Sequence, residues 1–141
     1  MTISDRKADH IDLCAAGDVA FRSKTTLLAD VELLHDALPE LDADAIDTSV
    51  RVLGKTLRAP ILIAAMTGGT ERAAVINREL ASLAEERGYG FGFGSQRPML
   101  ERPDDPSYQV RDLAPTCLVL GNLGAVQARE LDSARIIELA R

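Results

Sequence analysis

The sequence predicts an α/β fold built on a parallel sheet, and three observations predict it. PILIAAMTGG (60–69) and GYGFGFGSQR (88–97) are apolar runs that each stop at a polar, glycine-bearing tip, with one amphipathic helical stretch between them. Strand, helix, strand in that order is a βα crossover unit whose strands run parallel. CLVLGNLGAVQ (117–127) repeats the pattern a third time. The tips Met66-Thr67-Gly68-Gly69, Ser95-Gln96-Arg97 and Gly121-Asn122-Leu123-Gly124 are therefore expected at one sheet edge. Ligands bind at that edge in such architectures, because its loops and helix N-termini leave backbone N–H groups available.

The elements follow in chain order. Residues 1–25 are polar and basic with little periodicity, so they read as an arm with one short helix around Lys7 to Ala16. Residues 26–58 form a segment before the repeating unit. Leu27 to Leu38 reads as a short strand or extended stretch ending at Pro39, and 49–53 with 55–57 as a hairpin turning at Gly54. Residues 59–141 hold the first βα units. The helix over 70–87 has Thr70 as N-cap, Glu71 in its first turn, Ala73, Ile76, Leu80, Leu83 and Ala84 as its apolar face, and Gly88 as terminator. Asp105-Pro106 predicts a further helix to Ala114, stopped by Pro115, and Asp132 or Ser133 starts another that runs to the chain's end.

These units make one incomplete domain over 1–141. An eight-fold barrel takes ~250 residues, so three strands supply less than half of one, and no linker divides the chain. Composition agrees with a globular chain: 141 residues, 46% hydrophobic, no Trp. The 22 acidic against 16 basic residues give a net charge of −6, which argues against nucleic-acid and anionic-membrane partners but leaves room for a small phosphate ligand. Cys14 and Cys117 lack metal-ligand spacing and fit a reducing cytoplasm. The charged start MTISDRKADH has no apolar signal core, and the longest apolar run, 59–66, is too short to span a bilayer. A cytoplasmic homo-oligomer is expected.

Five features could carry chemistry. Arg6-Lys7 followed by His10 could wrap a diphosphate through charge-assisted hydrogen bonds, the alternative being a solvated basic face. Met66-Thr67-Gly68-Gly69 lets backbone amides approach a flat ring or a phosphate, or is a plain βα turn needing positive φ. Ser95-Gln96-Arg97 is a dense donor set, or a polar surface loop. Gly90, Gly92 and Gly94 weaken their strand, which makes sense where a backbone or ligand lies close. Asn122 could both donate to and accept from a ring edge, or be a turn asparagine. His35 reads as a half-buried structural histidine. No metal loop, CxxC pair, Walker-type loop or Ser/His/Asp order is present, so hydrolysis is not suggested.

Taken in order, RKADHIDLC (6–14), TTLLADVELLHDALPELDADAIDTS (25–49) with RVLGK (51–55), PILIAAMTGG, GFGFGSQR and GNLGAVQ closely resemble the type 2 isopentenyl-diphosphate Δ-isomerases. The resemblance covers nearly all of this chain and only the amino-terminal portion of the family. It implies a TIM (β/α)8 barrel of which this chain carries the arm and roughly the first three βα units. It also implies interconversion of isopentenyl and dimethylallyl diphosphate with FMN, an NADPH reductant and Mg2+. By the same resemblance Arg6, Lys7 and His10 bind the substrate diphosphate, Ser95, Gln96 and Arg97 face the substrate, and Ala65, Met66, Thr67, Ser95 and Asn122 contact FMN. No metal ligand and no residue acting directly on the reacting carbons is assigned within this chain. The nearest enzymatic competitor is an FMN-barrel oxidase or dehydrogenase of 2-hydroxy acids, which should lack the RKxxH arm. A reading of another class is a non-catalytic half-barrel that acts only by pairing with another copy or partner.

Overall fold

The computed structural model describes residues 3–139. The chain is a mixed α/β structure with a small, open parallel sheet. Helix α1 (Ile3–Ala16) is followed by an irregular stretch in which residues 17–49 are all exposed, broken only by single 3-10 turns at Leu28–Asp30 and Ala43–Ala45. The expected strand option for 27–38 is not taken: Leu33 is 88% and Leu34 101% exposed, and with no partner strand the segment has nothing to pair or pack against. His35, expected half-buried, is exposed for the same reason.

The hairpin is present, β1 (Val50–Val52) antiparallel to β2 (Lys55–Leu57), with Arg51 opposite Thr56. Its two-residue loop has Leu53 at φ 48 and Gly54 at φ 79. Both central residues of such a turn need positive φ to match the strands' twist, and only Gly54 adopts it freely.

The parallel sheet has the order β3 (Leu62–Ile63), β4 (Gly90–Gly92), β5 (Leu118–Leu120), registered Leu62 to Gly90 to Leu118. Helix α2 (Glu71–Arg87) crosses between β3 and β4. Thr70 caps it by accepting from the Ala73 N–H, and Gly88 ends it at φ 68, donating back to Ala84 and Glu85. The face it buries differs in detail from the expected one. Ala73, Asn77, Ala81 and Ala84 are buried, whereas Leu83 is 41% exposed. The small residues let α2 approach the sheet closely, so Ala81 and Ala84 pack with Phe91 and Phe93 of the second strand region.

The crossover from β4 to β5 is not the predicted helix. Pro106–Tyr108 is one 3-10 turn, followed by a turn closed by Leu113 and Ala114 N–H to Val110 O. The Asp105 carboxylate accepts from both the N–H and the hydroxyl of Ser107, and this local side-chain turn competes with helix propagation. Burial then selects Tyr108 and Val110 together, and residues two apart lie on nearly opposite sides of a helix. After β5 come a short α3 (Ala125–Glu130), which the sequence reading missed, and α4 (Ser133–Leu139), whose start Asp132 caps by accepting the Arg135 N–H. Any continuation of α4 lies outside the described residues. Among the described residues nothing covers Ile61 and Leu62, which stay 44% and 46% exposed, and the sheet is not closed.

Candidate functional site

The three tips meet at the carboxyl edge of the sheet, as strand order required. The Gly94 N–H donates to Thr67 O at 3.0 Å, and the Gln96 N–H donates to Asn122 O at 2.7 Å, so tip one touches tip two and tip two touches tip three through backbone bonds. The glycines permit this closeness. A Cβ at Gly94 would sit 2.5 Å from Thr67 O, and one at Gly68 would meet the Tyr108 ring at 2.6 Å. Gly69 also needs its left-handed φ of 82. The alternating glycines of the second strand are thus explained by the neighbouring chain rather than by a ligand.

Helix α1 lies over this edge. Half-buried Lys7 donates from Nζ to Ser95 O at 3.3 Å and lies 3.5 Å from the Tyr108 hydroxyl. At the other end Asp12 pairs with Arg72 in the first turn of α2. Burial pulls the Lys7 ammonium below its ordinary value, with Arg6 adding to the effect and the Asp105 carboxylate opposing it. Burial likewise raises the Tyr108 phenol, which therefore stays a neutral donor to Ser95 O at 2.6 Å.

Between α1 and the sheet edge is a cavity of about 700 Å3. Arg6, Lys7 and His10 line one side, and Met66, Thr67 and Ser95 another. Ile11, Val19 and Ile76 make its apolar wall. The arm's cations and the first two tips, far apart in sequence, therefore share one space whose lining combines cations, hydroxyls and apolar side chains. Met66 is 77% exposed into it.

Four other predicted site residues do not line this cavity. Gln96 is buried at 6%; its amide donates to Leu139 O at 2.7 Å, and its Oε1 accepts the Asn122 N–H at 3.1 Å. That side chain is occupied in joining the second and third tips. Arg97 is exposed at the start of the 3-10 turn Arg97–Leu100. Ala65 and Asn122 are exposed at the sheet edge, Ala65 one residue before the lining stretch. Of the two cysteines, Cys14 is exposed and lines the cavity, whereas Cys117 is buried in β5's approach and its thiol is raised by burial.

Residues that sequence reasoning passed over brace the site from behind. Asn77, Arg102, Ser107 and Tyr108 all bond to tips one or two, and Asp105 holds Ser107 and Arg102 in turn. The available signal was Asn77 itself, a polar side chain on the face otherwise filled by alanines. Among the described residues no group of three His, Cys, Asp or Glu could hold a metal ion, and no helix is long and apolar enough to cross a membrane.

No protein-family model matches the chain. Curated relatives do. The chain is 47% identical over 132 residues to an isopentenyl-diphosphate delta-isomerase of Methanococcoides burtonii, covering 92% of this chain and 36% of that protein. It is 47% identical over 123 residues to the one of Nostoc sp., covering 86% and 35%. With the one of Halobacterium salinarum it shares 50% over 132 residues, covering 91% and 36%. The chain spans about a third of the length of the curated relatives it matches. Over that span, the chain is homologous to the amino-terminal portion of the isopentenyl-diphosphate delta-isomerases.

Proposed function

We propose that this chain is the amino-terminal part of a cytoplasmic, FMN-dependent isomerase with a TIM-barrel fold, which interconverts isopentenyl and dimethylallyl diphosphate. The observation that carries this reading is the shared cavity: Arg6, Lys7 and His10 on one side, Met66, Thr67 and Ser95 on the other, with Ile11, Val19 and Ile76 between. A substrate with a polyanionic diphosphate head and a five-carbon apolar tail needs that combination. Arg6 and His10, both exposed to the cavity, supply donors for phosphate oxygens. Lys7 must exchange its hold on Ser95 O for the phosphate, which its partial desolvation favours because a lost hydration shell need not be removed again.

The donor set suits one edge of a flavin ring. Thr67, Ser95 and Asn122 close three adjacent parallel strands, which lie ~4.8 Å apart, and so offer two hydroxyls and an amide in a row. When bound, reduced flavin supplies an electron-rich, proton-exchanging surface beside the allylic carbons. The chain's own part is to bind and orient the diphosphate, to present the tail to that surface, and to exclude water beneath α1, which a cation-like transition state requires. The described residues offer no cluster of ligands for Mg2+, so no step is assigned to that ion here.

The test is an anaerobic assay of the complete protein carrying this segment with FMN, NADPH and Mg2+. Conversion of isopentenyl diphosphate is expected. Turnover of a 2-hydroxy acid instead, with no isomerisation, would overturn the proposal.

A further inference from the structure

Behind the first tip lies a buried polar pair, Asn77 and Ser107, neither of which lines the cavity. Asn77 is 2% exposed on the α2 face where Ala73, Ala81 and Ala84 are completely buried. An amide among alanines costs stability unless its hydrogen bonds are made. They are: Nδ2 donates to Thr67 O at 3.2 Å and to Ser107 O at 2.8 Å. Two carbonyl acceptors on one side fix which amide atom is the nitrogen. Ser107 is completely buried as well, its Oγ accepting the Gly69 N–H at 2.6 Å and donating to Asp105 Oδ1 at 2.6 Å. Arg102 completes the set, donating to Gly69 O at 3.0 Å and pairing with Asp105 Oδ2 at 2.8 Å, off the axis of a hydrogen bond.

Thr67 O and Gly69 N flank Gly68, and both are held from behind by side chains. This matters because the tip cannot hold itself. Two consecutive glycines have no Cβ to pack, and one of them sits at φ 82, so the unrestrained segment would sample many backbone conformations.

We propose that Asn77 and Ser107 are positioning residues for the flavin-facing tip: they fix the peptides from Thr67 to Gly69, and with them Met66 and Thr67, without contacting the ligand. The inference rests on the FMN reading above.

The experiment compares Ser107→Ala, Asn77→Leu and the milder Asn77→Ser with Glu85→Gln, in the complete protein. Glu85 anchors the far end of α2 and serves as a control for stability loss alone. FMN affinity is read by fluorescence quenching, and the hold on the tip by hydrogen exchange at the Gly69 amide. Ser107→Ala and both Asn77 variants should raise the FMN Kd about tenfold, the loss of one buried hydrogen bond. Glu85→Gln should lower the melting temperature and leave the Kd unchanged, and Ser107→Thr should restore much of the affinity. Wild-type affinity in folded Ser107→Ala and Asn77→Ser overturns the proposal. A wild-type protein that binds no FMN sinks the functional reading instead. The positioning role is then judged by Gly69 exchange, and exchange in Ser107→Ala no faster than wild type overturns it.

Discussion

The Glu85 carboxylate, in the last turn of α2, accepts the Cys117 backbone N–H at 2.7 Å. It also accepts the Thr116 N–H at 3.0 Å and the Thr116 hydroxyl, so the end of α2 is tied to the start of β5 across the intervening strand. Glu85→Ala leaves these donors to water and should cost about 1–2 kcal/mol, at the low end for hydrogen bonds to a charged group because the site is half-exposed. The Thr116 hydroxyl bond first, and the two backbone bonds with it, hold the folded carboxyl below its ordinary value of 4.5. A depressed folded pKa means that the stabilisation is complete above the unfolded value and fades as pH falls through the folded one. Urea midpoints of the wild type should therefore fall with acid below about pH 4.5 more steeply than those of Glu85→Gln. Parallel acid profiles would refute the link.

Arg6 and Lys7 are adjacent but differ in what they hold. Arg6 is exposed, whereas Lys7 reaches Ser95 O. Arg6→Ala should weaken the diphosphate substrate roughly 10- to 100-fold, the equivalent of one charge-assisted bond, with an unchanged melting temperature. Lys7→Ala should show a similar loss and, in addition, faster hydrogen exchange in α1 before any substrate is added. Equal exchange in the two variants would show that Lys7 does not dock the arm.

The glycines at the tips make a graded test of packing. An alanine at Gly94 would press on Thr67 backbone, with O at 2.5 Å and C at 2.7 Å, whereas at Gly68 it would press on the side chain of Tyr108. Backbone held by the Gly94 and Asn77 hydrogen bonds to Thr67 O cannot move aside as the tip of a side chain can. Gly94→Ala should lower the unfolding midpoint by the equivalent of about 2–3 kcal/mol, and Gly68→Ala by less, within the usual range for overpacking. A larger loss for Gly68→Ala would contradict the tip contact described.

What could be read in the sequence was what local signals determine. Thr70 and Gly88 bound α2 as their cap chemistry requires, and the three apolar runs with polar ends give the parallel order β3, β4, β5. Asp105-Pro106 misled, because Asp105 is an equally good partner for Ser107 two residues on as for a helix start, and burial of Tyr108 and Val110 decides between them. Asn77 stands out only as a polar residue on an alanine face, and its role and that of Ser107 depend on bonds to groups 10 to 38 residues away, which exist only once α2 and the tips are assembled. The same holds for Lys7, whose bond to Ser95 spans 88 residues. Residue type suggested which groups could bind a ligand, but whether a polar group is free for one depends on partners that only the fold supplies.

Gln96 and Asn122 make that distinction measurable, since both are amide side chains at sheet tips with opposite surroundings. Gln96 is buried and binds the Asn122 N–H and Leu139 O, while the exposed Asn122 is joined to tip two through its backbone alone. Gln96→Leu keeps the volume but strips two backbone groups of their partner, so it should cost about 2 kcal/mol in a denaturant titration. Asn122→Ala leaves those backbone bonds in place and should unfold at the wild-type midpoint. Its effect should appear in FMN affinity, weakened several-fold because a ring-edge group loses its hydrogen-bond partner. Unchanged flavin binding in Asn122→Ala would remove Asn122 from the proposed site.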